Sequence, residues 1–263
     1  MGLMASTMLI AASLWSWGHP GGGVRVSDPL VFVPKEPIVL MPGTNGANWV
    51  ELQSVASRMV VHRSTNAEGV PSNGLVAITD GGLLLIDTAW TPAQTEAILR
   101  WGDERLKRPW IGAVITHEHA DRDGGLDALF RRRIPVSALD LTIEKLQQRN
   151  IRGVKALFSA RAGEVQVMDD RGFEAFYPGP GHATDNIVVK FESLLFGGCL
   201  IKSAEARDLG FTADADLEAW PAAVRRVQER YGSTIVVPGH GPIDESATGT
   251  AYENTLRLLE KRR

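Results

Sequence analysis

From about Glu51 onward, apolar runs of strand length alternate with amphipathic segments of helical period, and few architectures accept that alternation. "IGAVIT" (residues 111–116) reads as a strand, Gly125 to Arg132 as a helix, "IPVSA" (134–138) as a strand and Leu141 to Asn150 as another helix. This is the pattern of an α/β domain. Upstream, "NGLVAI" and "LLLIDT" flank Asp80-Gly81-Gly82, a hairpin signal. Thr91 suits an N-cap, Pro92 the first helical position, and Gln94 completes a capping box. Further strands are expected at "GEVQVM", "FEAFYP", "NIVVKF" and "SLLFG". Leu217, Trp220, Val224, Val227 and Tyr231 recur at steps of three and four, which marks a helix with one buried face, capped by Asp216. A strand "STIVV" and a helix ending in "LRLLEKRR" close the chain.

Bulk properties narrow the function classes. The 263 residues are 44% hydrophobic and 22% charged, ordinary values for a globular chain that buries a substantial core. A net charge of -3, with Lys and Arg scattered, supplies no basic field for nucleic acid. The single cysteine, Cys199, excludes an intramolecular disulfide. "MGLMASTMLIAASLWSW" is too short to span a bilayer but has the apolar core of a secretory signal, so residues 1–20 are expected to be a signal peptide. The Gly- and Pro-rich residues 21–48 read as an extended lead-in, and residues 49–263 as one domain. No other stretch is expected to cross a membrane.

Four of the six histidines follow apolar strand-like runs, next to Gly, Thr or Pro. His117 and His119 follow "GAVIT", His182 follows "FYPGPG" and His240 follows "TIVVPG", while Cys199 follows "LLFGG". Loops converge at the ends of α/β strands, so these residues are placed to meet. In an extended segment His117, His119 and Asp121 would also point to one side. His, Cys and Asp together fit Zn²⁺. Six ligands exceed the four of a closed structural site and match two metals, each with three protein ligands and an open position, which is the arrangement of a catalytic site. His19 and His62 stand outside any such setting and receive no role.

"THEHADRDGG", "GPGHATDN", "GGCLIKS" and "PGHG", in that order, resemble the metallo-β-lactamases, specifically subclass one, the dinuclear zinc subclass with a cysteine ligand. The resemblance runs from about Glu51 to Pro242. It implies an αβ/βα sandwich, two mixed sheets flanked by helices, with the metals at one edge. It implies that His117, His119 and His182 hold the first of two Zn²⁺, and Asp121, Cys199 and His240 the second. Other branches typically have a histidine after the motif's aspartate and an aspartate bridging the metals. This chain has Arg122 and Cys199 instead, which favours a β-lactamase over a thioesterase or lactonase of the same fold.

The resemblance further implies hydrolysis of penicillins, cephalosporins and carbapenems by a zinc-activated hydroxide, in the bacterial periplasm, by a monomer whose partner is the small β-lactam itself. A zinc-binding protein without turnover is the reading of a different class, disfavoured because Lys202 and the open positions would then have no purpose. Lowering the pKa of water from about 15.7 to about 7 is worth roughly 12 kcal/mol, against roughly 3 to 5 for a general base, so no serine nucleophile is needed. Asp121 and Lys202 are the expected catalytic residues, with Lys202 meeting the substrate carboxylate. Phe211, Thr212 and His182 join Lys202 in lining the substrate. Asp87 is expected to buttress a ligand histidine, and Arg122 to pair with acids around the second metal or cap the turn. The flap, "HRSTNAEGVPSNG" (62–74), is short and polar, with Val70 its one large apolar residue between His62 and Pro71. Many members carry Gly-Asn where this chain has Gly210-Phe211, so the usual side-chain amide is missing from that wall.

Overall fold

The structure, a computed structural model, describes residues 36–167, 173–232, 234–246 and 248–262. The expected signal peptide and most of the lead-in lie outside these residues. The larger sheet runs in chain order: β1 (Ile38–Met41), β2 (Val50–Ala56), β3 (Met59–Thr65), β4 (Pro71–Ile78), β5 (Leu83–Ile86), β6 (Trp110–Ile115), β7 (Val136–Ala138) and β8 (Val154–Ala156). Its first five strands are antiparallel, and β5 through β8 are parallel. The smaller sheet holds β9 (Glu164–Val167), β10 (Glu174–Tyr177), β11 (Val188–Phe191), β12 (Leu194–Gly198) and β13 (Ile235–Pro238) in reverse spatial order, with only β12 and β13 parallel. Both sheets are mixed.

Alternation along each strand sends successive side chains to opposite faces, and here both faces are covered. Met59, Val61, Leu75 and Ile86 of the larger sheet meet Ala175, Val189, Phe191 and Phe196 of the smaller in the central layer, with Phe173 beside them just before β10. The opposite face of the larger sheet, including Val60, Val76 and Leu85, packs on Ile98 and Leu99 of α1 (Pro92–Trp101) and Leu129 of α3 (Leu126–Arg131), with α2 (Ala120–Asp123) between them in sequence. Leu146 of α4 (Asp140–Gln148) joins that layer. Leu195 and Val236 of the smaller sheet pack on Trp220 and Val224 of α5 (Trp220–Tyr231) and Leu258 of α6 (Thr250–Glu260). The result is the expected αβ/βα sandwich.

Burial on both faces explains why "LLLI" and "IVV" read as unbroken apolar runs. Asp80-Gly81-Gly82 does turn β4 into β5, with Ile78 paired to Leu83. Thr91 caps α1, accepting from the Gln94 N–H at 3.2 Å. Gln94 Oε1 accepts from the Thr91 hydroxyl at 3.1 Å rather than from the Thr91 N–H, so the capping box closes on the side chain only, while the Gln94 amide donates to the Thr65 carbonyl at 2.7 Å and ties α1 to the end of β3. Pro221 stands in the first turn of α5, which starts at Trp220, and Leu217 is left 39% exposed outside the helix. Asp216 accepts from the Ala219 N–H at 2.9 Å, capping the turn that leads in. The end of the expected lead-in is part of the sheet, since β1 pairs with β2.

Candidate metal centre

The six candidate ligands come from the carboxyl ends of β6, β10, β12 and β13, and they assemble as two trios. His117, His119 and His182 form one, Asp121, Cys199 and His240 the other, with the ligand atoms of each within 4.8 Å of one another. Convergence of His117, His119 and Asp121 along an extended strand does not occur. β6 ends at Ile115, His119 caps α2 in extended conformation, and Asp121 already lies in that helix. The helical turn rotates Asp121 away from the two histidines and toward the other trio. Gly125 lets the following turn close on α1, since a Cβ there would lie 1.9 Å from Thr95 Oγ1.

Hydrogen bonds fix which ring nitrogens face inward in the first trio. His119 Nε2 meets Asp214 Oδ2 at 2.9 Å; a carboxylate only accepts, so Nε2 carries the proton and Nδ1 presents a lone pair. Thr116 Oγ1 donates to Asp87 Oδ2 at 2.8 Å and is left to accept, over a long 3.4 Å, from His117 Nδ1, which turns the Nε2 lone pair inward. His119 Nδ1 lies 3.1 Å from His117 Nε2 and 3.3 Å from His182 Nε2. Burial lowers the His182 pKa to about 4, so that ring is neutral. Burial opposes a charge on His117, but Cys199, Asp121 and Asp185 outweigh it and raise its pKa, so positive charge, from a proton or a metal, is favoured among these inward nitrogens. Atoms on a tetrahedron of radius about 2.0 to 2.1 Å lie about 3.3 Å apart, so the trio has the spacing that Zn²⁺ needs.

The second trio is built around a buried cation. Arg122 is fully buried and donates to Asp121 Oδ2 from Nε at 3.0 Å and Nη2 at 2.7 Å, to Asp87 Oδ2 at 3.3 Å, and to the carbonyls of Asn73 at 2.6 Å and Gly239 at 2.9 Å. Burial opposes ionisation of the Cys199 thiol, but Arg122 and then the His240 ring outweigh it and hold the thiol well below its usual range. Burial likewise opposes the ionisation of Asp121, but Arg122 and His240 outweigh it and hold the carboxyl well below its usual range. His240 Nδ1 donates to the Pro71 carbonyl at 2.6 Å, leaving Nε2 at 3.0 Å from Asp121 Oδ2 and 3.3 Å from Cys199 Sγ. Asn73 holds the loop by donating its amide to the carbonyls of Pro238 and Gly241, each at 2.9 Å. Burial opposes a charge on His240, but Cys199 and Asp121 raise its pKa to about 9; a metal that replaced that proton would meet a thiolate and a carboxylate balanced by one guanidinium, a deficit that a divalent cation would offset. Both donor sets therefore fit zinc.

Asp87 does not touch a ligand histidine directly. Its carboxylate takes the Thr116 N–H at 2.7 Å, the Thr116 hydroxyl and Arg122, so any support to His117 passes through Thr116. Lys202 is 8% exposed, its ammonium 5.3 Å from the Trp220 ring centre, and burial lowers its pKa. Phe211 is 60% exposed and sets its ring edge-to-face with His119 at 5.4 Å. The Thr212 hydroxyl is engaged by Arg262 at 2.7 Å. Two contributors escaped the sequence reading. Asp214 orients His119, and its only signal is an acid on the loop that carries Phe211. Asp185, inside "GPGHATDN", accepts the Glu118 N–H at 2.9 Å and so pins the backbone between His117 and His119.

Replacing Arg122 by Met would leave Asp121 and Asp87 buried without their cation. Urea unfolding of the metal-free protein is expected to show a loss of about 3 to 5 kcal/mol; a loss under about 1 would mean the guanidinium is not the anchor of this site.

The family model of the metallo-beta-lactamase superfamily matches residues 67–240. A type 2 metallo-beta-lactamase of Bacillus cereus is 37% identical over 202 residues, covering 74% of this chain and 75% of that one. One from Pseudomonas aeruginosa is 34% identical over 223 residues, covering 81% and 87%. The solved metallo-beta-lactamase of Pontibacter korlensis superposes with a TM-score of 0.73 at 36% identity, covering 80% of this chain and 99% of that one. With the sandwich in place and two zinc-type donor sets at its edge, the chain belongs to the metallo-β-lactamase family of hydrolases.

Proposed function

We propose that this protein opens the ring of penicillins, cephalosporins and carbapenems in the bacterial periplasm, as a monomer holding two Zn²⁺. The observation that carries this reading is the pair of adjoining trios, His117–His119–His182 and Asp121–Cys199–His240, each supplying three donors. Three donors leave a tetrahedral metal one open position. Zinc held there supplies Lewis acidity, enough to bring the pKa of water from about 15.7 to about 7.

The side chains divide the remaining work. As metal donors the three imidazoles of the first trio would bring no negative charge, so a metal held there would be a stronger Lewis acid than one beside the anionic Asp121 and Cys199. Asp121 and Cys199 are anionic and temper the second position, which suits it to the nitrogen released on ring opening. Lys202 offers an ammonium to the substrate carboxylate. Its burial strengthens that pairing, because charges attract more strongly where water is excluded. The flap between β3 and β4 turns tightly, with Asn66 Oδ1 accepting from the Val70 and Glu68 N–H groups at 2.8 and 3.1 Å. Val70, 43% exposed, is the apolar residue it offers, so grip on substrate falls largely to Phe211 across the site.

The reading is tested by assaying purified protein against a chromogenic cephalosporin, a carbapenem and a thioester, with and without chelator. Lactam hydrolysis that chelator abolishes and zinc restores is expected. Thioester turnover alone would place the protein in another branch of the fold, and two bound zincs with no turnover would make it a zinc-binding protein. Phe211→Ala is expected to raise KM about 2- to 10-fold for a penicillin with an aromatic side chain and to leave KM for a small alkyl analogue unchanged, given about 0.5 to 1.5 kcal/mol for an aromatic pair. Equal shifts for both substrates would remove Phe211 from the binding wall.

A further inference from the structure

His62 is a buried histidine that neither trio uses. It lies on β3 directly opposite Gly74 of β4, and its ring occupies the space that glycine leaves: a Cβ on residue 74 would stand 2.1 Å from His62 Nε2. Nε2 lies 3.2 Å from the Asp87 carbonyl oxygen. A carbonyl only accepts, so Nε2 carries the proton, and Nδ1, buried and without a hydrogen-bond partner, is the bare acceptor. Burial lowers the ring's pKa to about 4, which keeps it neutral. An orphaned buried acceptor is costly to maintain, and a phenylalanine would fill similar space without that cost.

The bond falls on a particular peptide group. Asp87 has a φ of 58°, in the left-handed region that non-glycine residues rarely adopt. The Asp87–Thr88 peptide is held at both ends, its C=O by His62 and its N–H by the Arg122 carbonyl at 2.7 Å. With Asp87 N–H donating to the Val114 carbonyl at 2.9 Å, both backbone dihedrals of Asp87 are fixed. Its carboxylate is thereby aimed at Thr116 on one side and Arg122 on the other, one contact away from His117 and from Asp121.

We propose that His62 is a positioning residue for the metal centre: its neutral imidazole, seated over Gly74, holds the Asp87–Thr88 peptide in the orientation that places Asp87 against Arg122 and so fixes Asp121. This rests on the reading of Asp121, Cys199 and His240 as a zinc site. The influence runs through Arg122 to Asp121 more directly than through the long Thr116–His117 contact, so the second trio is the more sensitive.

The test compares His62→Leu, which cannot donate, with His62→Gln, whose amide N–H reaches the same carbonyl. Zinc affinities of the two sites are measured by competition with a chromophoric chelator on protein shown to be folded by circular dichroism. Loss of an outer hydrogen bond to a metal site typically costs 10- to 100-fold in affinity. His62→Leu is expected to lose about that at the second site and under about threefold at the three-histidine site, with His62→Gln restoring most of it. A residue that only supports the fold would lower the melting temperature and leave the ratio of the two affinities unchanged, and that result overturns the proposal, as does Gln falling as far as Leu. Should His62→Leu fail to fold, ¹⁵N NMR of the wild type decides: a neutral Nε2–H tautomer that does not titrate from pH 5.5 to 8 is expected, and an Nδ1–H tautomer overturns it. If the wild type binds fewer than two zincs, the zinc reading fails, and the tautomer still reports on the His62 bond.

Discussion

A guanidinium out of reach of water sets the geometry of this protein's edge. An exposed arginine–carboxylate pair contributes little, but a buried cation must have its charge matched and its donors satisfied, or the fold loses several kcal/mol. Arg122 meets that demand through Asp121, Asp87, Asn73 and Gly239. Those partners lie in α2 itself, on and just after the β4–β5 hairpin, and after β13, three regions separated in sequence. Satisfying one side chain therefore draws together the loops that present Asp121 and His240, and the loop with Cys199 follows because β12 pairs with β13. The same guanidinium lowers the ionisation cost of the thiol and the carboxylate beside it, so structural and chemical demands coincide on one residue.

The imidazoles illustrate a second constraint, the direction of lone pairs. Each histidine of the two trios has two ring nitrogens, and an outer partner or the packing around the ring decides which one would face a metal. Asp214 decides for His119, Thr116 for His117 and the Pro71 carbonyl for His240. His182 Nδ1 has no such partner, and its ring is held by packing edge-on against Trp220 at 5.6 Å. The centre is thus pre-arranged by hydrogen bonds on three rings and by shape on the fourth.

Much of this was readable from the chain. Strand-end histidines and a cysteine stand out because apolar runs stop abruptly before them, and the both-faces-buried sheets follow from runs such as "LLLI". What sequence could not supply was the path of loops between elements. Asp214 meets His119 across 95 positions, and nothing local marks it apart from other acids. Gln94 fits a capping box on spacing, yet its side-chain oxygen takes the Thr91 hydroxyl rather than the Thr91 N–H, and spacing does not show that its amide reaches the Thr65 carbonyl. The periodicity that includes Leu217 is real, but it runs past the proline that fixes where α5 starts. The place of Asp87 at the end of an apolar strand suggests direct support for a histidine, whereas Thr116 stands between, a difference of one side chain that spacing does not resolve. His62 drew no attention because its importance depends on Gly74 across the sheet, a pairing visible only in register.

The proposed activity needs two cations lying among six side chains, one of which donates sulfur. Zinc-edge X-ray absorption on the zinc-loaded protein tests this most directly, because sulfur and nitrogen scatter at distinguishable distances. Two zincs per chain, with one sulfur neighbour at about 2.3 Å on one of them and nitrogen or oxygen at about 2.0 to 2.2 Å otherwise, is the predicted result. Two zincs with no sulfur in either shell would contradict it, since Cys199 would then be an ordinary buried thiol and the second trio would not be a metal site.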